Sequence, residues 1–192
     1  NELNQKASVQ GNKDLALIGM MRCNFKLNNY AELINQASSV LANSAMTAEV
    51  RTEATFYKAK ALLEQERYPE SEPYFQEIIN TIPISSIKAE AAYSLALILN
   101  KKNLFESSNN ACFQIKNDYA SYEYWVVKTF ILIADNYTML DNIFQAKATL
   151  QSIVDNYAGD AQLLQEASDK LEALKAEELK NTKVDLNTEP SD

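Results

Sequence analysis

The sequence predicts an all-α fold built as a stack of helix pairs. Three observations carry that expectation. Tyr30, Tyr68, Phe105 and Ile143 each open a helical run just after a break, and they lie 38, 37 and 38 residues apart. A fixed period of that size marks helical repeat arrays. Apolar residues recur every three or four positions between the breaks, as in Ala59, Leu62 and Leu63 or Phe75, Ile78 and Ile79, which is helical spacing. Finally, 192 residues contain only three glycines and four prolines, fewer turn formers than strand-rich or Gly-loop folds need.

Taken in order, residues 1–12 read as an N-terminal segment, either frayed or the end of an upstream helix. Asn12 is placed to cap a first helix from Lys13 to Leu27, and Asn28-Asn29 breaks it. Tyr30 to Asn43 follows. Thr47 caps Ala48 to Gln65, whose partner runs from Tyr68 to Thr81, with Pro69 and Pro73 in its first turns. Pro69 suits a helix start, whereas Pro73 is expected to disturb the second turn. Pro83 closes that unit by pushing its predecessor out of the helical region. Ser85 or Ser86 caps a helix to Lys101, paired with Phe105 to Asn117. Ser121 starts a helix to Leu140, paired with Ile143 to Tyr157. Gly159 is expected to end that helix in a left-handed conformation. Asp160 then caps a ninth helix at 160–180, with Leu163, Ala167, Leu171 and Leu174 along one stripe and a polar outer face. Such a face suits the open end of a stack. Residues 181–192 are polar, acidic and aperiodic, and read as a disordered tail.

Composition narrows the function classes. The net charge is −8, with nine acids against four lysines from Asp160 onward and seventeen against fourteen before it. An acidic chain without a basic stripe argues against nucleic-acid binding, since phosphate neutralisation needs clustered Lys and Arg. No apolar run reaches membrane-spanning length, so direct membrane insertion is not expected. No secretory leader is expected from the chain's opening residues. Histidine is absent, which removes the commonest general base and metal ligand. Cys23 and Cys112 have no partner motif and read as small buried hydrophobes. No phosphate loop, nucleophile elbow or metal spacing is present. Acid pairs such as Glu64/Glu66, Glu70/Glu72 and Glu177/Glu178 read as solvated charge. No catalytic residue, cofactor or metal is expected.

Between Thr52 and Pro83 the pattern has a small residue mid-way along the first helix (Ala59), an aromatic at the turn (Tyr68), a small residue early in the second helix (Ser71), an aromatic four later (Phe75) and a final proline (Pro83). This resembles the tetratricopeptide repeat (TPR) family. The third copy offers Ala96, Phe105, Ser108 and Cys112, and the fourth Ala134, Ile143, Ala146 and Leu150. The first is weakest, with Met21 and Leu33 in both small slots. The resemblance covers about residues 13–158 as four repeats, at about 13–45, 47–83, 85–120 and 121–158, with a period longer than the family's usual 34. It implies a right-handed superhelical stack of about four helix pairs closed by a C-terminal capping helix, an α-solenoid. Ala59, Tyr68, Ser71, Phe75, Pro83, Ala96, Phe105, Ser108, Ala134 and Ala146 would then be packing residues. The Asn-rich turns and the last repeat, FQAKATLQSIVDNY, are more loosely similar to the C-terminal ends of long bacterial envelope-associated TPR proteins.

By that resemblance the first helices of the repeats line a concave groove that binds a peptide or partner helix without catalysis. Carried over by register, the lining comprises Ile18, Arg22, Phe25 and Lys26, then Phe56, Lys60, Leu63 and Glu64, then Tyr93, Leu97, Asn100 and Lys101, then Ile131, Asp135 and Thr138. It is basic toward its start and apolar in the middle, and would suit a peptide with acidic and aromatic or aliphatic anchors. Arg22, Lys60 and Lys101 are the candidates for holding an acidic side chain. The aromatic run Tyr119, Tyr122, Tyr124 and Trp125 reads first as packing between repeats and second as a binding anchor. An alternative is a self-assembling module of a larger envelope-associated protein, dimerising through the exposed first repeat. A remote one is an enzyme whose activity lies outside these residues. The compartment stays open, with a lean to the bacterial periplasm or envelope if the chain belongs to a longer secreted protein.

Overall fold

A computed structural model describes the backbone of residues 2–187 and the side chains of residues 11–180. Among the described residues there are nine α-helices and no strand: α1 (Glu2–Lys26), α2 (Tyr30–Ala42), α3 (Ala48–Glu64), α4 (Tyr68–Thr81), α5 (Ser86–Lys101), α6 (Phe105–Asp118), α7 (Glu123–Met139), α8 (Ile143–Asn156) and α9 (Ala161–Asn187). The chain forms two compact units, Asn1–Ile98 and Leu99–Asp192, and within each, successive helices pack against one another.

The period is visible in the backbone. Four non-glycine residues take the left-handed conformation: Asn28, Glu66, Asn103 and Asp141, with φ of 58°, 58°, 61° and 57°. Each stands two residues before Tyr30, Tyr68, Phe105 or Ile143. The same pair of hydrogen bonds closes every one of these turns. In the second, Glu66 N–H donates to the Leu63 carbonyl and Arg67 N–H to that of Leu62, both at 2.9 Å. Asn28/Asn29, Asn103/Leu104 and Asp141/Asn142 repeat that geometry. This is a Schellman ending, which satisfies the orphan carbonyls of one helix and reverses the chain into the next.

The second helix of each pair buries one narrow stripe at i, i+4, i+7: Leu33/Ala37/Val40, Ser71/Phe75/Ile78, Ser108/Cys112/Ile115 and Ala146/Leu150/Ile153. First helices are buried on more sides, as α3 and α7 show. In the first unit, Ser71 donates its hydroxyl to the Ala59 carbonyl at 2.8 Å. A side chain bonded to the backbone of the facing helix requires close approach, and that is why both positions are small. In the second unit, Ala134 and Ala146 lie together in a core with Val127, Ile131, Leu150, Ile153 and the apolar stripe of α9.

Several local expectations are met. Thr47 accepts from Val50 N–H at 3.4 Å, Ser85 from Lys88 N–H at 3.3 Å, and Asp160 from Gln162 and Leu163 N–H at 2.9 and 3.0 Å. Ile82, before Pro83, is extended. Others are corrected. Asn12 caps nothing: α1 is helical from Glu2, and no proline or competing turn interrupts it. Ser121 does not start α7, which begins at Glu123 after Tyr122. Pro73 stays inside α4 on its exposed face, where its ring is accommodated and the helix continues. Gly159 is not left-handed. It is small because a Cβ there would sit 2.5 Å from the Tyr157 hydroxyl, and that hydroxyl accepts the Asp160 N–H at 2.7 Å. In the expected tail, the backbone is helical as far as Asn187, while residues 188–192 lie outside the described residues.

Candidate functional site

The groove residues of the first unit come together on α1, α3 and the first part of α5. Arg22 on α1 donates to the Glu53 carboxylate on α3 at 2.7 Å, and Lys60 on α3 pairs with Glu90 on α5 at 2.5 Å. The two pairs occupy the same register. Arg22 and Lys60 each stand eight residues before their turn aromatic, and Glu53 and Glu90 fifteen before theirs. One base therefore reaches forward to an acid on the first helix of the next pair, twice in succession. The chain uses this device once more with the charges reversed. Asp135, also eight residues before its turn residue Ile143, accepts from Lys170 of α9 at 2.7 Å in the second unit.

Aromatic rings fill the space between the ion pairs. The Lys60 ammonium lies 4.5 Å from the Phe25 ring centroid, 5.1 Å from Phe56 and 5.8 Å from Tyr57. Phe25 packs tilted against Tyr30 and Tyr57 at 5.7 and 5.8 Å. A cation over several ring faces is held by their quadrupoles while its apolar stem covers them. Burial raises the Tyr57 phenol above its ordinary value, and the nearby Glu53 carboxylate pushes the same way. The hydrogen bond to Glu53 raises the Arg22 guanidinium further and keeps it charged.

This geometry revises the expected lining. Arg22 and Lys60 already hold acids of the neighbouring helix, so the face is much less basic than their identities suggest. Glu53 and Glu90 were not singled out from the sequence. The signal was there: both sit at one register position, 37 residues apart. Phe56, expected on the surface, is 4% exposed and belongs to the core. Ile18 and Ile131 are buried as well. Lys26 and Glu64 are exposed, while Phe25, Leu63, Tyr93 and Leu97 are half-buried. Arg22 keeps about half of its side chain accessible.

The second unit treats its residues differently. Asn100 donates to the Asn136 side-chain carbonyl at 2.7 Å, and the Asn136 amide donates to Ser108 Oγ and Asn109 Oδ1, both at 2.9 Å. Asn136 is fully buried, so every polar atom it carries is spent inside the protein. Thr138 donates to the Ala134 carbonyl, and Lys101 is exposed. Tyr124 and Trp125 stack edge to face at 5.0 Å beside Lys128, with Trp125 half-buried and Tyr124 exposed. The cysteines part company. Cys112 is buried, and desolvation pushes its thiol up to about 12, whereas Cys23, expected inside, is exposed because it lies on the outer face of α1.

Among the described residues no cluster of three or more potential metal ligands exists, and no helix is long and apolar enough to cross a membrane. No protein-family model matches the chain, and no curated protein matches it.

Proposed function

We propose that this chain is a non-catalytic interaction module of tetratricopeptide-like helix pairs, which binds a peptide or partner helix across the α1–α3–α5 face of its first unit. The observation that carries this reading is the cation–aromatic ladder. It is a surface of half-buried Phe25, Leu63, Tyr93 and Leu97 held rigid by two registered ion pairs, with Arg22 and Lys26 open at its edge. A pre-organised face loses little freedom on binding. Half-buried aromatic rings offer apolar anchorage, and Arg22 has donors left for an acidic side chain of the partner. Asn100, Lys101 and Asp135, in the second unit, are not needed for it.

The test is display of a random peptide library against the immobilised chain, with binders re-measured on Arg22→Glu/Lys60→Glu. Peptides carrying an aromatic or aliphatic anchor near an acid should be enriched and should lose about tenfold or more in affinity on the double variant. Identical affinities for wild type and a folded double variant would remove the reading.

A second reading rests on a different face. Leu15, Met20 and Leu27 of α1 are 67%, 56% and 68% exposed, and Cys23 lies among them. Met20, Cys23 and Leu27, at i, i+3 and i+7, share one exposed face that suits self-association of this first pair. Light scattering across a range of concentrations decides it, since a monomer throughout excludes the dimer.

A further inference from the structure

Helical Ser and Thr residues of this chain generally fold their hydroxyls back onto the carbonyl four residues earlier. Thr81, Ser94, Thr129, Thr138 and Thr149 all do so, at 2.7 to 2.9 Å. That local bond is the default when a helical hydroxyl has nothing better to do. Thr52 and Thr55, in the first half of α3, depart from it, as do Ser107, Ser152 and Ser168, all less buried than Thr55. Neither threonine makes a hydrogen bond to any described residue. For Thr55 this is notable, since only 3% of the residue is exposed. Its oxygen is not sealed in protein, and the side chain lines a cleft of about 200 Å3 between the start of α3 and the end of α4.

The rest of that cleft is built from Ala48, Arg51, Thr52, Glu77, Ile78 and Thr81. On α3, positions 48, 51, 52 and 55 fall on one face, about a third of a turn away from Phe56 and Lys60. Arg51 is fixed there: its Nη1 donates to the Leu41 and Asn43 carbonyls at 3.0 and 3.3 Å. The other guanidinium donors remain unspent among the described residues. On the opposite wall, the Glu77 carboxylate makes no ion pair with any described residue. Buried Ile78 lies between them. One wall thus offers a guanidinium and two hydroxyls, and the other a carboxylate. The volume lies below the ~300–1,000 Å3 of sites for drug-sized ligands.

We propose that this cleft binds a free α-amino acid as its zwitterion, the ligand carboxylate meeting Arg51, Thr52 and Thr55 and the ligand ammonium meeting Glu77. A simple anion would be repelled by Glu77, and a simple cation by Arg51. A small molecule bearing both charges satisfies both walls and gives Thr55 the partner it lacks. The site is separate from the α1–α3–α5 face and does not depend on it.

The experiment is an NMR titration of the full chain, following the amides of Thr52, Thr55 and Glu77. Each free amino acid is added in turn, then the N-acetyl and carboxamide forms of any that bind, and sodium sulfate. One or more free amino acids should shift these amides saturably. Blocking either end, or introducing Thr55→Val or Glu77→Gln, should weaken binding about tenfold, as expected for loss of a charge-assisted hydrogen bond. Thr55→Val should melt no lower than wild type, because replacing an unpartnered hydroxyl by a methyl of the same shape is close to neutral. The proposal fails if no amino acid gives a saturable shift, if sulfate shifts the same amides as strongly, if a blocked form binds as well as the free one, or if the variants bind like wild type.

Discussion

The two units solve the same problem, joining one first helix to the next, with different chemistry. In the first, charges bridge α1 to α3 and α3 to α5, with Arg22 about half accessible, its partners mostly covered, and Lys60 supported on aromatic rings. In the second, α7 turns a charge outward, through Asp135 to Lys170, and a neutral amide inward, through Asn136 to α5, α6 and the buried Ser108. Water and salt reach the first arrangement at its Arg22 end, where the bond is individually modest. The second sits in a low dielectric, where a satisfied amide is rigid and an unsatisfied one is costly. Hence the first unit keeps part of its charge, on Arg22, within reach of solvent, and the second commits the Asn136 amide wholly to the interior.

Removing the amide should have the largest effect. Asn136→Ala takes the Asn136 amide from buried Ser108 and Asn109 and from half-buried Asn100, and should cost about 2–4 kcal/mol in urea or thermal unfolding. Cys112 gives a local reading of the same event. Its thiol is buried against Ser108 and raised from 9.0 to about 12, so a thiol reagent should modify exposed Cys23 at once and Cys112 only when the second unit opens. Asn136→Ala should speed that slow phase severalfold and leave the Cys23 phase unchanged. The same shift sets a pH dependence. Between pH 9 and about 12 the unfolded thiol has lost its proton while the native one keeps it, so stability contributed by this group is present below 9 and falls as pH rises. If Cys112 labels as fast as Cys23 in the wild type, the contrast between the units is wrong.

The ion-pair ladder should be softer. Lys60→Met keeps the stem over Phe25 and Phe56 but removes the charge, and leaves Glu90, whose side chain is 19% exposed, only partly in water without its counter-charge. A loss of about 1 kcal/mol is expected. It should shrink in high salt, whereas the Asn136→Ala loss should not. Equal salt sensitivity for both would dissolve the distinction.

The period, the helix pairs and most caps were legible in the sequence because they depend on spacing and on residues with strong local preferences, such as Thr47, Asp160 and the small slots at Ala59 and Ser71. What was not legible depends on neighbours in space. Gly159 looked like a helix stop, but its smallness answers the Tyr157 ring. Phe56 and Lys60 share a face by periodicity, yet one is buried and the other neutralised by Glu90, thirty residues on. Cys23 followed the rule that free cysteines are buried until α1 presented it outward. The cleft at Thr55 could not have been read at all, since only the geometry shows which hydroxyls fail to find the carbonyl behind them.

The backbone offers the finest test of how alike the units are beneath their different side chains. Glu66 in the first and Asp141 in the second occupy the same left-handed turn position, where an L side chain is strained and glycine is not. Glu66→Gly should raise stability by about 0.5–1 kcal/mol, the relief of strain exceeding the added freedom of the unfolded chain. Asp141→Gly should gain less, because Asp tolerates this conformation better. Asn28→Gly should gain nothing, as Asn28 also accepts the Tyr30 hydroxyl at 2.8 Å. Calorimetric melts of the three variants should therefore rank by residue type and not by unit. A gain confined to one unit would mean that the four turns, alike in φ and in hydrogen bonds, carry different loads, and that the repeat is one of shape alone.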